Sequence, residues 1–127
     1  MTNPNAVFGA YLRELRLKAG CGLRKFAELA GFQPSNLSNL ERGKLPPPRD
    51  PERLEEMADA LGLAEGSRER QKLYDLAAQA QKAPLPADVQ PYARSHKLVP
   101  VLLRTAQDKN LSDEDLQELV QHINKNY

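Results

Sequence analysis

Three short polar side chains lie within the segment 34–42: Ser35, Asn36 and Asn39. The pairs among them are separated by one, three and four residues. This spacing predicts that they share one face of a short helix, opposite Leu37 and Leu40. An asparagine amide can form two hydrogen bonds with adenine, and a serine hydroxyl can bond to several base edges. The pattern therefore favours contacts with bases in the major groove of DNA, although the same residues also suit an ordinary solvent-facing helix.

Catalytic and metal-binding residue types form no comparable pattern in the sequence. His96 and His122 lack the spacing of paired metal ligands, and Cys21 has no base near it. The sequence contains no glycine-rich loop of the kind that binds phosphate groups. A single cysteine also excludes an internal disulfide and a zinc finger. We therefore expect no catalytic site, no metal site and no cofactor.

Charge is unevenly distributed along the chain, although the net charge is only +1. Residues 1–49 contain eight basic and three acidic side chains, whereas residues 108–127 contain two basic and five acidic ones. Positive charge near the polar face suits contacts with phosphates, which fix the register of a protein on DNA. The candidates for phosphate contacts are Arg24, Lys25, Arg42, Lys44 and Arg49. Each of them could instead be an ordinary solvated residue.

The elements that must position these side chains are helices, because no segment alternates apolar and polar residues for long enough to form a strand. The fold class is therefore predicted to be all-α. Five helices are expected in the first part of the chain, one from near Pro4 and the others at 23–30, 34–42, 51–61 and 67–81. The apolar stripe of the first helix comprises Phe8, Tyr11, Leu12, Leu15 and Ala19. Gly31 is expected to end the second helix in a left-handed turn.

The length of 127 residues allows one compact domain, or a small domain with a short accessory module. No apolar run approaches the roughly 20 residues needed to cross a bilayer. The N-terminus also lacks the basic start and apolar stretch of a signal peptide. We therefore expect a cytoplasmic protein without membrane contact.

The segment LRKFAELAGFQPSNLSNLERG, residues 23–43, resembles the helix-turn-helix of the XRE family, which includes the Cro and phage-repressor proteins. Ala27 supplies the small residue where the two helices cross, and Gly31 supplies the turn. The apolar residues at the junction are Phe26, Phe32, Leu37 and Leu40. The resemblance implies a five-helix DNA-binding domain in a prokaryotic, nucleoid-associated transcriptional repressor. It also implies that Gln33 and Pro34 lie near the DNA, although Gln33 departs from the usual Ser or Thr cap, and that Arg16 pairs with Glu41.

The rest of the chain is predicted to form a second module, with the boundary near Lys82, so that the domains are 1–82 and 83–127. The intervening segment KAPLPADVQP, residues 82–91, is typical of a linker or short turn. A later helix is expected to be capped by Ser112, with Asp115 three residues on. This module is rich in apolar residues, which suggests that two copies pack together as a homodimer that matches a palindromic operator. The residues expected in the dimer interface are Leu98, Val101, Leu102, Leu116, Leu119, Val120 and Ile123. The alternative is that this module folds back on its own DNA-binding domain.

The C-terminal segment LVPVLLRTAQDKNLSDEDL is similar to that of regulators paired with ImmA/IrrE-type zinc metallopeptidases, some of them in phage-defence operons. This resemblance implies cleavage within residues 101–111, beside Leu103 and Arg104, which would release the dimer and its operator. The same residues could simply be the dimer core. Two other functions remain open: an antitoxin whose C-terminal part binds a toxin, and a protein-interaction module that no longer binds DNA.

Overall fold

The computed structural model describes residues 3–82 and 85–127, and within these ranges it contains eight α-helices and no strand. The prediction of an all-α fold is confirmed. The chain divides into two compact units, Met1–Gln90 and Pro91–Tyr127. None of the helices in the described ranges is long and apolar enough to span a membrane.

The first unit contains the five helices expected from the sequence. They are α1 Pro4–Lys18, α2 Leu23–Ala30, α3 Pro34–Glu41, α4 Pro51–Ala60 and α5 Arg68–Gln81. Asn3, Asp50 and Ser67 cap α1, α4 and α5, because each side chain accepts a hydrogen bond from a first-turn N–H. Gly31 ends α2 with a φ of 73°, the left-handed conformation that glycine adopts without steric cost.

The core of this unit lies where α1 packs against α3 and α5, and where α2 packs against α3 and α4. Its largest fully buried side chains are Phe8, Leu12, Phe26, Leu37, Leu54, Met57 and Leu73. The expectation that Ala19 belongs to the core is wrong, because α1 ends at Lys18 and Ala19 is an exposed C-cap. Ala87 is buried in the same core, which places part of the expected linker in the first unit. The boundary near Lys82 stays a prediction, and residues 83 and 84 of the linker lie outside the described residues.

Gly9 fixes the distance between α1 and α3. A β-carbon at this position would lie 2.6 Å from the carbonyl oxygen of Glu41 and closer still to that of Leu40. Both neighbours are backbone atoms, so they cannot move aside as a flexible side chain would. The backbones of α1 and α3 can therefore approach only because residue 9 is glycine.

The second unit begins within a short helix, α6 Gln90–Ser95, and continues with α7 Leu98–Asp108 and α8 Asp113–Asn126. The helix α6 was not predicted from the sequence. The predicted cap of α8 is present as a full capping box, in which Ser112 and Asp115 each accept a backbone hydrogen bond from the other. None of residues 91–127 is buried. The unit therefore has no core of its own.

Candidate nucleic-acid interface

The predicted base-reading residues lie on the outward side of α3. This helix buries Leu37 and Leu40, which are 0% and 2% exposed. Ser35 and Asn36 are exposed, and Asn39 is half-buried. The structure thus brings the three polar residues together on one short helix, with the apolar residues turned to the core. Their contacts with bases stay predictions.

The side chain of Asn39 is hydrogen-bonded to that of Arg42. The Nη2 atom of Arg42, which is the C-cap residue of α3, donates a hydrogen bond of 3.0 Å to Oδ1 of Asn39. The sequence predicted a phosphate contact for Arg42. In the structure its guanidinium is instead bonded to one of the residues expected to read bases.

The N-terminal end of α3 is open. Gln33 is the N-cap residue, but its side chain makes no capping hydrogen bond, and Pro34 occupies the first helical position. Both residues are exposed. Both residues are therefore open to solvent at this end of α3, and their proximity to DNA stays a prediction.

A groove of about 450 Å³ lies beside this end of α3, and Gln33 and Asn36 form part of its wall. Arg53 of α4 also lines this groove, with its guanidinium carbon 4.2 Å from the centre of the Phe32 ring. Both of its terminal nitrogens also donate to the carbonyl oxygen of Gly31, at 3.4 Å. Arg53 therefore ties α4 to the turn between α2 and α3. The sequence did not indicate a role for this residue, because no local pattern links an arginine on α4 to Gly31, which lies 22 residues earlier.

The C-terminal end of α3 is held by an ion pair with α1. The Nε and Nη2 atoms of Arg16 donate to the two carboxylate oxygens of Glu41, at 2.7 and 3.0 Å. Nη1 of Arg16 also donates to the carbonyl oxygen of Cys21 at 3.0 Å. The two side chains are only 10% and 5% exposed. The hydrogen bond to Glu41 raises the pKa of Arg16 above its usual value, against the opposing effect of burial.

The remaining basic candidates are all exposed and belong to the same unit as α3. Arg24 and Lys25 lie in the first turn of α2, and Lys44 and Arg49 lie in the connection between α3 and α4. Exposed cations near the polar face of α3 can reach phosphates without being buried themselves. These four phosphate contacts stay predictions.

The residues predicted to mediate dimerisation lie in the second unit and are exposed. Leu98, Val101 and Leu102 of α7 are 47–74% exposed, and the four apolar residues of α8 are 40–52% exposed. Leu103 and Arg104 lie inside α7, so cleavage between them would require this helix to unfold locally. Dimerisation and cleavage both stay predictions. Among residues 3–82 and 85–127, no group of His, Cys, Asp and Glu side chains is arranged to hold a metal ion.

Comparison with known proteins agrees with this geometry. A family model described as a helix-turn-helix domain matches residues 7–71, which is just over half of the chain. The match runs from α1 into α5 and includes the α2–turn–α3 segment with its outward polar face. No curated protein and no solved structure matches the chain significantly.

Proposed function

The chain belongs to the helix-turn-helix family, whose members bind DNA and regulate transcription, and from that premise we propose that it is a sequence-specific repressor of the XRE type. It acts as a homodimer on a palindromic operator, which is that of its own operon. The observation that carries this proposal is the outward polar face of α3, presented by a helix whose two ends are held to α1 and α4.

The size and chemistry of α3 suit the major groove. An α-helix with its side chains is about 10–12 Å across, which is close to the width of that groove in B-DNA. Ser35, Asn36 and Asn39 offer donors and acceptors in short side chains, so the helix backbone can approach the base edges closely. The exposed basic residues of α2 and of the α3–α4 connection would set the register by contacting phosphates. This combination supports base recognition better than it supports a surface for another protein.

Dimerisation follows from what the second unit lacks. Its residues Leu116, Leu119, Val120 and Ile123 recur at spacings of three and four, so they form one apolar stripe along α8. Because no residue of the second unit is buried, another surface is needed to cover this apolar stripe.

A second copy fits the charges on α8. Its first turn carries Asp113, Glu114 and Asp115, and its last turn carries Lys125. When two copies of α8 pack antiparallel, the acidic end of each helix lies beside the basic end of the other. The helix dipoles then point in opposite directions, which is also favourable. A dimer then links two copies of α3, so that binding of the first half-site raises the effective concentration for the second.

The DNA-binding part of the proposal is tested by fluorescence anisotropy with two probes. One is a labelled duplex from the region upstream of the gene, and the other is a duplex selected from a random-sequence pool. Specific binding should weaken linearly in log Kd against log salt concentration, since each phosphate contact releases counterions. Asn39→Ala should reduce the discrimination between specific and unrelated duplexes, whereas Asn126→Ala, which removes an exposed amide in α8, should not. If neither probe binds above an unrelated duplex at low salt, the proposed function is wrong.

The dimer is tested by sedimentation equilibrium of the full chain. Val120→Asp should convert the dimer to a monomer, because it places a charge in the apolar stripe. Leu17→Asp is the matched control, since Leu17 is exposed to a similar degree but lies on α1, and it should leave the dimer intact. A wild-type monomer at high concentration would contradict the proposal. It would favour the antitoxin alternative, in which a toxin covers this stripe.

A further inference from the structure

The bond between Arg42 and Asn39 determines which way the Asn39 amide faces. An arginine side chain has only hydrogen-bond donors, so the amide atom that accepts from Nη2 of Arg42 must be the oxygen. The amide NH₂ group therefore points away from Arg42. Within the described residues, this NH₂ group has no hydrogen-bond partner, so its donors are available to a bound molecule.

The two residues share the exposed side of the helix. Asn39 and Arg42 are three positions apart on α3, where side chains lie one above the other. Leu40 and Glu41, which lie between them in sequence, turn inward and are buried. Arg42 is thus placed beside the base-reading face, and its bond to Asn39 restrains a side chain that would otherwise rotate.

We infer that Arg42 positions the Asn39 amide so that it reads a guanine, and this inference rests on the function proposed above. Guanine presents two acceptors, N7 and O6, at its major-groove edge, whereas adenine presents one acceptor and one donor. Bidentate recognition of adenine by asparagine needs the amide oxygen to face the base. In this protein that oxygen accepts from Arg42, so the Asn39 amide presents its donor, Nδ2, to the groove.

The inference differs from what either residue suggests alone. The sequence favours adenine for an isolated asparagine, and phosphate for a basic residue at the end of the recognition helix. With its oxygen engaged by Arg42, the Asn39 amide offers donors, which match the two acceptors of guanine better than the mixed edge of adenine. Arg42 is in this sense a positioning residue, because it acts on base choice through Asn39.

The test uses the specific duplex obtained by selection and its single-base variants at every position of one half-site. Wild-type protein should prefer guanine over adenine by roughly tenfold or more at one position, and Asn39→Ala should abolish the preference at that same position. Arg42→Met keeps the length of the side chain but removes all donors, which frees the Asn39 amide. We expect this variant to change the preference at that position from guanine to adenine, and to leave the other positions unchanged.

Lys44→Met is the matched control, since Lys44 is an exposed cation just beyond α3. It should weaken binding to all duplexes by the same factor and reduce the slope of log Kd against log salt by about one. If Arg42→Met behaves in this uniform way, or if wild type already prefers adenine, the inference is wrong while the proposed function stands. Failure of wild type to bind any duplex specifically would remove both. Circular dichroism should show that Arg42→Met is folded, because Arg42 is exposed.

Discussion

Replacement of Arg16 by methionine should destabilise the first unit severely. The substitution keeps an unbranched side chain of similar length but removes three donor nitrogens, two of which donate to Glu41 and one to the Cys21 carbonyl. The Glu41 carboxylate, which is 5% exposed, then remains buried without its counter-charge. The perturbation therefore acts mainly through an unpaired charge rather than through lost packing.

The magnitude follows from this burial. Breaking a buried pair by removing one partner costs about 3–5 kcal/mol, whereas an exposed pair contributes about 0–1 kcal/mol. Small domains unfold with about 5–15 kcal/mol, so Arg16→Met should remove a large share of the total. The double variant Arg16→Met/Glu41→Leu leaves no unpaired charge, so it should cost less than Arg16→Met alone.

Urea unfolding monitored by circular dichroism at 222 nm measures these free energies. Asp59→Asn provides the control, because the Asp59 side chain that pairs with Arg70 is 64% exposed. The Arg70 side chain is 7% exposed, but an asparagine oxygen can still accept from it and its hydrogen bond to the Leu63 carbonyl remains, so this variant should cost less than Arg16→Met. If Arg16→Met costs as little as Asp59→Asn, or if the double variant costs the sum of its two single variants, the pair does not anchor α3 as argued. Arg16→Met that remains folded should keep the base preference of wild type.

Three further predictions concern single positions. Gly9→Ala should cost about 3 kcal/mol in urea unfolding, because its β-carbon would meet the backbone of α3, whereas Gly22→Ala, with open space around it, should stay within about 1 kcal/mol. The hydrogen bond from the Ser112 backbone lowers the pKa of Asp115, so its stabilisation of α8 is full above the ordinary aspartate pKa and is lost as the pH falls through the lowered value. The helical signal should therefore drop on acidification to below about pH 4, and drop less in Asp115→Asn, whose signal at pH 7 is already reduced; an equal drop in both would contradict this. Arg53→Met should weaken specific DNA binding more than it lowers the unfolding free energy, because it releases the turn before α3 while leaving the core intact; an unchanged Kd would show that the turn needs no such support.

Much of the first unit could be predicted because local chemistry determines it. A cap residue followed by proline starts a helix wherever it occurs, as at Asn3 and Asp50, since both the missing N–H and the accepting side chain act within one turn. Gly31 ends α2 for an equally local reason. The core residues of α2 and α3 follow from the spacing of their apolar positions, because in each helix that spacing defines one apolar stripe, which must face the core.

The features that the sequence did not predict depend on contacts between distant residues. Gly9 lies within a helix, where glycine is unfavourable, and this was a usable signal of close approach that spacing alone could not assign to a partner. The position of Arg53 over Phe32 depends on how α4 crosses the turn. The bond between Arg42 and Asn39 depends on side-chain rotamers, about which residue spacing gives no information.

The contacts on α3 separate recognition from stability. Its inner face is fixed at one end by Glu41 with Arg16 and by the close approach at Gly9, while Arg53 holds the turn at the other end. Because these contacts involve only inward or flanking groups, the outward side chains can change without disturbing them. Substitution of Asn39 should therefore alter base preference at nearly constant stability, whereas substitution at Gly9 should alter stability with base preference unchanged in the folded fraction. A rigid helix is also a requirement for base recognition, because hydrogen bonds to base edges tolerate displacements of only about 0.5 Å.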